Sequence, residues 1–126
     1  MTQRRFPKSS RLVKSEEFDR VFSQRCSAAD DMIIVYAARS SFSGPRLGMV
    51  VSRKCGNAVF RNQWKRSLRE AFRLTQHKLP RQLDLVVLPC RGAAPNVRRL
   101  QNSLKDLALK NAAKLPARET KPEDHL

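Results

Sequence analysis

Acidic residues are scarce in this chain of 126 residues. Asp and Glu together number 11, against 26 Lys and Arg, so the formal net charge is +15. A charge of this size repels itself in the compact state, and a polyanionic partner relieves the repulsion. The imbalance therefore indicates a nucleic acid or an anionic membrane surface as the partner.

Long apolar runs are also absent, which bears on the choice between those two partners. No run approaches the roughly 18 apolar residues that a membrane-spanning helix needs, and the apolar run 83–88 is interrupted by Asp84. The basic start of the chain has no apolar segment after it, so we expect no secretory signal. A nucleic acid is the favoured partner, and no membrane partner is predicted.

Cysteine is sparse and shows no pairing pattern. Cys26, Cys55 and Cys90 are odd in number and far apart, and they make no metal-binding framework with His77 or His125. We therefore expect reduced thiols in a cytoplasmic protein.

Motifs of catalysis are missing as well. The chain has no phosphate-binding glycine loop, zinc-protease helix or nucleophile elbow. We expect His77 to be a solvated or helix-capping imidazole. Asp30 and Asp31 adjoin each other in a predicted turn, where such a pair can hold a hydrated Mg²⁺ but is usually only solvated. The sequence predicts no catalytic residue and no metal site in the protein.

The chain is most informative over 51–73, which holds seven basic residues and one acid, Glu70. Its second half predicts an amphipathic helix, because apolar residues recur at the i, i+4, i+7 and i+8 positions. Asn57 is the expected N-cap, and Leu79-Pro80 is expected to end the helix. The predicted buried stripe consists of Trp64, Leu68, Ala71, Phe72 and Thr75.

Basic and amide side chains fall together on another side of this helix, which we call the basic face. Its members are Arg61, Asn62, Lys65, Arg66, Arg69 and Arg73. A solvated helix face usually mixes charges of both signs, and this one has a single acid to offset its cations. The planar guanidinium of Arg suits bidentate contact with phosphate. The pattern therefore favours a polyanion-binding face over a merely solvated one.

The remaining elements predict one α+β domain. A short helix is expected near residue 15, strands over 32–38, 46–52 and 83–89, and a last helix capped by Asn96. We expect a polar turn at 26–31 and a hairpin between the first two strands. The fold class is α+β, an α/β sandwich with a small central sheet packed with helices.

The ends of the chain differ in composition from this domain. We predict a basic N-terminal arm over 1–11, a single domain that binds nucleic acid over 12–115, and a disordered polar tail over 116–126.

Three aromatic residues form a second constellation: Phe18, Phe22 and Tyr36. The phenylalanines are one helical turn apart, and Tyr36 lies on a strand expected to pack near that helix. They are either core aromatics or a platform on which unpaired bases stack, each stack contributing about 1–3 kcal/mol. The residues alone leave both interpretations open.

At this point the motif supports a resemblance to a known family. Residues 52–73 resemble the signature of the protein subunit of bacterial ribonuclease P, whose pattern is K-x-G-x-A-V-x-R-N-x-x-K-R-x-x-R-E-x-F-R. The likeness extends over about residues 10–110 and includes Leu47-Gly48 before the motif and 84–87 after it. Gln63 departs from the pattern, since many members have Arg directly after the Arg-Asn pair.

The resemblance implies a fold, a partner and a division of labour. The fold would contain an unusual left-handed βαβ crossover around the basic helix, against the strong right-handed rule. The partners would be a catalytic RNA and precursor tRNA, whose 5′ leader the ribonucleoprotein removes. Mg²⁺ would be held mainly by the RNA, and the protein would be a non-catalytic subunit of this endoribonuclease.

The resemblance also implies roles for particular residues. The leader would lie in a cleft lined by Phe18, Phe22 and Tyr36, which favours the platform interpretation. Contacts to RNA would come from Arg53, Lys54, Asn57, Arg61, Asn62, Lys65, Arg66, Arg69 and Arg73. A small ribosomal protein or RNA chaperone is the alternative function, and a nuclease acting alone is a third.

Overall fold

Three helices and four strands follow one another along residues 11–115, the part of the chain that this computed structural model describes. They are α1 (Ser15–Ser23), β1 (Ser27–Ala29), β2 (Ile33–Arg39), β3 (Arg46–Met49), α2 (Ala58–Thr75), β4 (Leu83–Pro89) and α3 (Val97–Lys114). Short 3₁₀ turns precede and follow α2, at Arg53–Cys55 and Gln76–Lys78. Most of the predicted arm and all of the predicted tail lie outside the described residues.

Arg11 is the one residue of the predicted loose arm that the structure describes. It forms a parallel bridge with Leu47 of β3, and the neighbouring Leu12 N–H donates to the Leu47 carbonyl at 2.9 Å. Residues 11 and 12 therefore lie against β3, an edge strand of the sheet.

The four strands form one mixed sheet in the order β1-β2-β4-β3. β2 pairs antiparallel with β1 and with β4, and β3 pairs in parallel with β4. The prediction of a β2–β3 hairpin is therefore wrong, because β4 lies between the two strands. A parallel pair needs a long crossover, and α2 supplies it between β3 and β4. The left-handedness of that crossover stays a prediction.

β1 occupies part of the segment predicted as a polar turn, 26–31. Its residues Ser27, Ala28 and Ala29 carry no β-branched or aromatic side chain, so they give no strand signal in the sequence. Pairing with β2 holds them in the sheet instead.

The larger core lies between one face of the sheet and helices α2 and α3. Alternate residues of the central strands point into it, namely Ile33, Val35, Ala37, Leu83, Leu85 and Val87. Among them, Val35 pairs with Val87 and Ala37 with Leu85 across β2 and β4. The buried residues of α2 are Trp64, Leu68, Ala71, Phe72 and Thr75, which confirms the predicted stripe. The buried residues of α3 include Leu100, Leu104 and Leu107.

The other face of the sheet carries α1 and a buried ionic cluster. Asp84 of β4 is fully buried there. Arg46 donates to both carboxylate oxygens of Asp84 at 2.8 Å, and Arg20 of α1 donates to the same carboxylate. Arg46 also reaches Glu17 at 3.3 Å, and its guanidinium lies 3.9 Å from the centre of the Phe42 ring. We call Glu17, Arg20, Arg46 and Asp84 the ion cluster; it ties α1 to β3 and β4.

Candidate nucleic-acid interface

The basic face depends on how α2 begins. The side chain of Asn57 accepts a hydrogen bond from the Phe60 N–H at 2.9 Å, so the predicted N-cap is confirmed. Gly56 before it has φ of +141°, and a Cβ there would approach the Phe60 ring to 2.7 Å. Only glycine allows the chain to turn so closely onto its own helix. Arg61 then fixes the turn from the other side, since its Nε donates to the Gly56 carbonyl at 3.1 Å.

The predicted members of the basic face emerge on the side of α2 that turns away from the core. Asn62, Arg66 and Arg69 are exposed, and Arg61 and Lys65 are half-buried. Arg53 and Lys54 in the preceding 3₁₀ turn are exposed as well. Helical geometry brings i, i+3 and i+4 residues side by side, so the exposed guanidinium groups of Arg66 and Arg69 are neighbours.

Arg73 differs from the other members because it already has an anionic partner. Its guanidinium donates to both carboxylate oxygens of Glu70, at 3.1 and 2.5 Å. These hydrogen bonds raise the pKa of Arg73 against a smaller opposing effect of burial. The carboxylate offsets part of the positive charge, so Arg73 offers less to a phosphate than Arg66 or Arg69 does. The i, i+3 spacing of Glu70 and Arg73 was a sequence signal for this pair.

On the opposite face of the sheet, α1 leaves part of the aromatic cluster open. Val21 is fully buried, whereas Phe18, Phe22 and Tyr36 are only half-buried. The Phe22 and Tyr36 rings meet edge to face, with centroids 4.9 Å apart and an interplanar angle of 78°. Such aromatic surface, fixed by packing yet partly exposed, can receive further flat ring systems.

Two apolar residues complete this surface and were not singled out in the sequence. Val50 and Leu88 are half-buried and pack against the same cluster. Strand alternation from Val86 would have placed Leu88 on this face, but the position of Val50 depends on the pairing of β3 with β4. We call Phe18, Phe22, Tyr36, Val50 and Leu88 the aromatic groove.

The aromatic groove and the 3₁₀ turn that carries Arg53 and Lys54 both adjoin the C-terminal ends of β3 and β4. β3 and β4 are parallel, so their C-terminal ends lie at the same end of the sheet. Val50 and Leu88 lie at those ends, and Arg53 and Lys54 follow Val50 after only two residues. Because α2 begins at the same end, a ligand in the groove and a ligand on the basic face can lie close together.

Asp30 and Asp31, the acidic pair of the predicted turn, are both engaged in contacts that stabilise the fold. The Oδ1 atom of Asp30 accepts hydrogen bonds from the Met32 and Ile33 N–H groups, and Oδ2 accepts one from Ser103 at 2.5 Å. Burial alone would raise the pKa of Asp30, but these hydrogen bonds outweigh it and lower the pKa. Asp31 forms an ion pair with Arg99 at 3.1 Å. These contacts fasten the β1–β2 turn to α3.

His77 and the three cysteines, for which the sequence predicts no catalytic role, lie apart from one another. His77 is exposed in the 3₁₀ turn after α2, at the opposite end of that helix from Arg53 and Lys54. Cys26, Cys55 and Cys90 are free thiols, and burial raises the pKa of Cys26 and Cys90. Within residues 11–115, no three His, Cys, Asp or Glu side chains come together as a group that could hold a metal ion.

An α+β domain with a basic helix on one side of its sheet and an aromatic groove on the other defines a class of small basic proteins. Comparison with known proteins gives the family within this class. A family model described as Ribonuclease P matches residues 6–112. The ribonuclease P protein component of Saccharophagus degradans is 40% identical over 124 residues, which cover 94% of this chain and 90% of that protein.

Solved structures give the same result. The RNase P protein of Staphylococcus aureus has a TM-score of 0.70 at 34% identity, covering 83% of this chain and 96% of that one. The RNase P protein from Thermotoga maritima has a TM-score of 0.67 at 28% identity, covering 76% and 92%. The chain therefore belongs to the ribonuclease P protein family. Among its described helices, none has the length and apolar character to cross a membrane.

Proposed function

We propose that this protein is the RNA-binding cofactor of a ribonuclease P ribonucleoprotein, holding the catalytic RNA on its basic face and the 5′ leader of precursor tRNA in its aromatic groove. The observation that carries the proposal is the placement of these two surfaces on opposite sides of one sheet. Two RNA molecules can then be bound at once without competing for the same side chains.

The basic face suits the phosphate backbone of a folded RNA. Arg66 and Arg69 are exposed neighbours, and guanidinium groups bind phosphate oxygens in a bidentate manner. Arg61 is held toward the N-terminal turn by its bond to the Gly56 carbonyl. Contacts of this kind carry little sequence information, so the shape of the catalytic RNA would set the specificity.

The aromatic groove suits a single strand. Unpaired bases stack on aromatic side chains with little sequence preference, which is what a cofactor needs if it processes many precursors with different leaders. Arg53 and Lys54 at the groove's edge add positive charge for the leader phosphates or for the catalytic RNA beside them. Mature tRNA lacks the leader and would gain nothing from the groove.

The chemistry would remain with the RNA. Mg²⁺ would be held mainly by the RNA, where it would supply activation of water and stabilisation of the leaving oxygen. The carboxylates of Asp30 and Asp31 are already engaged by Ser103, backbone N–H groups and Arg99, so they do not fit a metal site. The protein would instead reduce repulsion between two polyanions in a cytoplasmic ribonucleoprotein.

Replacing Phe22 with alanine should reduce the preference of the holoenzyme for precursor over mature tRNA. Removing one stacking partner costs about 1–3 kcal/mol, so we expect the ratio of the two dissociation constants to fall roughly tenfold. Equilibrium binding of both tRNAs, without cleavage, measures the ratio directly.

The control for this experiment is Leu109→Ala, which removes a half-exposed apolar side chain from α3 on the other side of the molecule. Phe22→Leu keeps apolar volume and loses the ring, so it separates stacking from packing. Each variant needs a melting curve, because truncating a packed Phe can cost about 3–5 kcal/mol of stability. Equal losses of affinity for precursor and mature tRNA in a folded Phe22→Ala variant would show that the leader does not bind in the aromatic groove.

A further inference from the structure

Gly48 in β3 lies directly beneath the first aromatic residue of α1. A Cβ added at this glycine would be 2.8 Å from Cζ of Phe18 and 3.0 Å from Cε2. It would also come within 3.1 Å of the Cβ of Leu12. The glycine is not needed for its backbone, because its φ lies outside the left-handed region. Its missing side chain is what lets Phe18 rest on the strand.

The ion cluster fixes α1 close to the other end of the same strand. Arg46 and Gly48 are two residues apart in β3, so they lie on the same face of the sheet, the one that α1 covers. Arg46 and Arg20 converge on the buried Asp84, and a buried carboxylate with two guanidinium partners resists displacement because an unpaired charge there is very costly. A shift of the whole of α1 would break these contacts, so a clash at Phe18 is relieved at lower cost by the ring itself.

We propose that Gly48 is a positioning residue for RNA recognition: it seats Phe18 against β3 and so sets the depth of the aromatic groove. This inference rests on the proposed function, since it assumes that the groove holds unpaired nucleotides. An added methyl group displaces the Phe18 ring from the strand. The ring then occupies space between α1 and the strand ends at Val50, where a stacked nucleotide would lie.

Gly48→Ala tests the positioning role of Gly48 by adding a single methyl group beneath the Phe18 ring. Alanine favours a strand at least as well as glycine does, so a loss of function would arise from the displaced ring and not from the backbone. We expect the ratio of precursor to mature tRNA affinity of the holoenzyme to fall about three- to tenfold, up to the loss of a whole stack. Affinity for the catalytic RNA alone should stay within about twofold, because the basic face is on the other side of the sheet.

Gly44→Ala is the matched control. A Cβ at Gly44 meets no atom within 4 Å and its φ is not in the left-handed region, so the same chemical change should leave both affinities unaltered. The aromatic ring spectrum gives an independent readout: the proton resonances of Phe18 should shift in Gly48→Ala and not in Gly44→Ala.

A double-mutant cycle separates positioning from general damage. When Phe18 is replaced by alanine, the methyl group at position 48 has no ring to displace, so Gly48→Ala should then change the affinity ratio by less than about twofold. An unchanged ratio in folded Gly48→Ala, the same loss in Gly44→Ala, or a full loss in the Phe18→Ala background would each overturn the inference. If both Phe22→Ala and Gly48→Ala leave the affinity ratio unchanged, the leader does not bind in the aromatic groove and the proposed function fails. If Phe22→Ala lowers the ratio and Gly48→Ala leaves it unchanged, the leader binds in the groove but Gly48 does not position Phe18 for it.

Discussion

Replacing Arg66 and Arg69 together by alanine is expected to weaken binding to the catalytic RNA by about a hundredfold or more. A hydrogen bond to a charged group contributes about 1.5–3 kcal/mol, and each arginine offers a bidentate contact to phosphate. The dependence of affinity on salt should weaken in parallel, by about 0.7–0.9 in log–log slope for each phosphate that the variant no longer neutralises. Titrations at several salt concentrations measure both effects.

The matched control removes the same charge from elsewhere on the surface. Arg81 and Lys110 are exposed and lie outside α2, so their double alanine variant tests long-range attraction alone. It should lose only a few-fold in affinity, since exposed charges beyond about 10 Å are screened at moderate salt. Equal losses in the two double variants would mean that net charge, and not the basic face, attracts the RNA.

Arg73→Ala provides a graded comparison within the same helix. Because Glu70 already pairs with Arg73, Arg73→Ala should reduce the affinity for the catalytic RNA less than Arg66→Ala does.

Replacing Asp84 with alanine should lower the free energy of unfolding by about 3–5 kcal/mol, the typical cost of leaving a buried ion pair with one unmatched charge. The substitution leaves Arg46, which is nearly buried, without its bidentate partner. Denaturant unfolding of the free protein measures the loss. Asp106→Ala removes an exposed carboxylate from α3 and should stay within about 0.5 kcal/mol of the parent.

A second variant asks whether the cluster contributes stability or placement. Replacing Asp84 with leucine and Arg46 with methionine removes the two most buried charges of the cluster together and leaves the more exposed Glu17 and Arg20, and such exchanges of a buried pair are often neutral or stabilising. We expect stability to recover in this double variant. A single Asp84→Ala loss no larger than that of Asp106→Ala would show that the ion cluster does not hold α1 on the sheet.

The features of this molecule that are local in sequence could be predicted. The buried stripe of α2 follows from helical periodicity. The N-caps Asn57 and Asn96 accept hydrogen bonds from the backbone N–H groups of Phe60 and Arg99, as expected for residues that precede a helix. The positions of the basic face on α2 follow from the same periodicity, because their spacing is fixed within one helix.

The features that join distant segments could not be predicted. Asp84 reads in the sequence as a break in an apolar run, whereas its partners Arg46 and Arg20 lie 38 and 64 residues away. The same reason explains the wrong hairpin: neighbouring strands pair more often than not, and nothing local shows that β4 enters between β2 and β3. The depth of the aromatic groove depends on the contact of Gly48 with Phe18, which only the packed structure gives.

Cleavage of precursor tRNA by reconstituted components tests the central claim most directly. The measurement compares the catalytic RNA alone, the protein alone, and both together, at low and high Mg²⁺. We expect no cleavage by the protein alone, weak cleavage by the RNA alone at low Mg²⁺, and strong cleavage when both are present. Cleavage by the protein alone would assign the chemistry to the protein, and an RNA whose activity ignores the protein at every Mg²⁺ concentration would contradict its role as a cofactor.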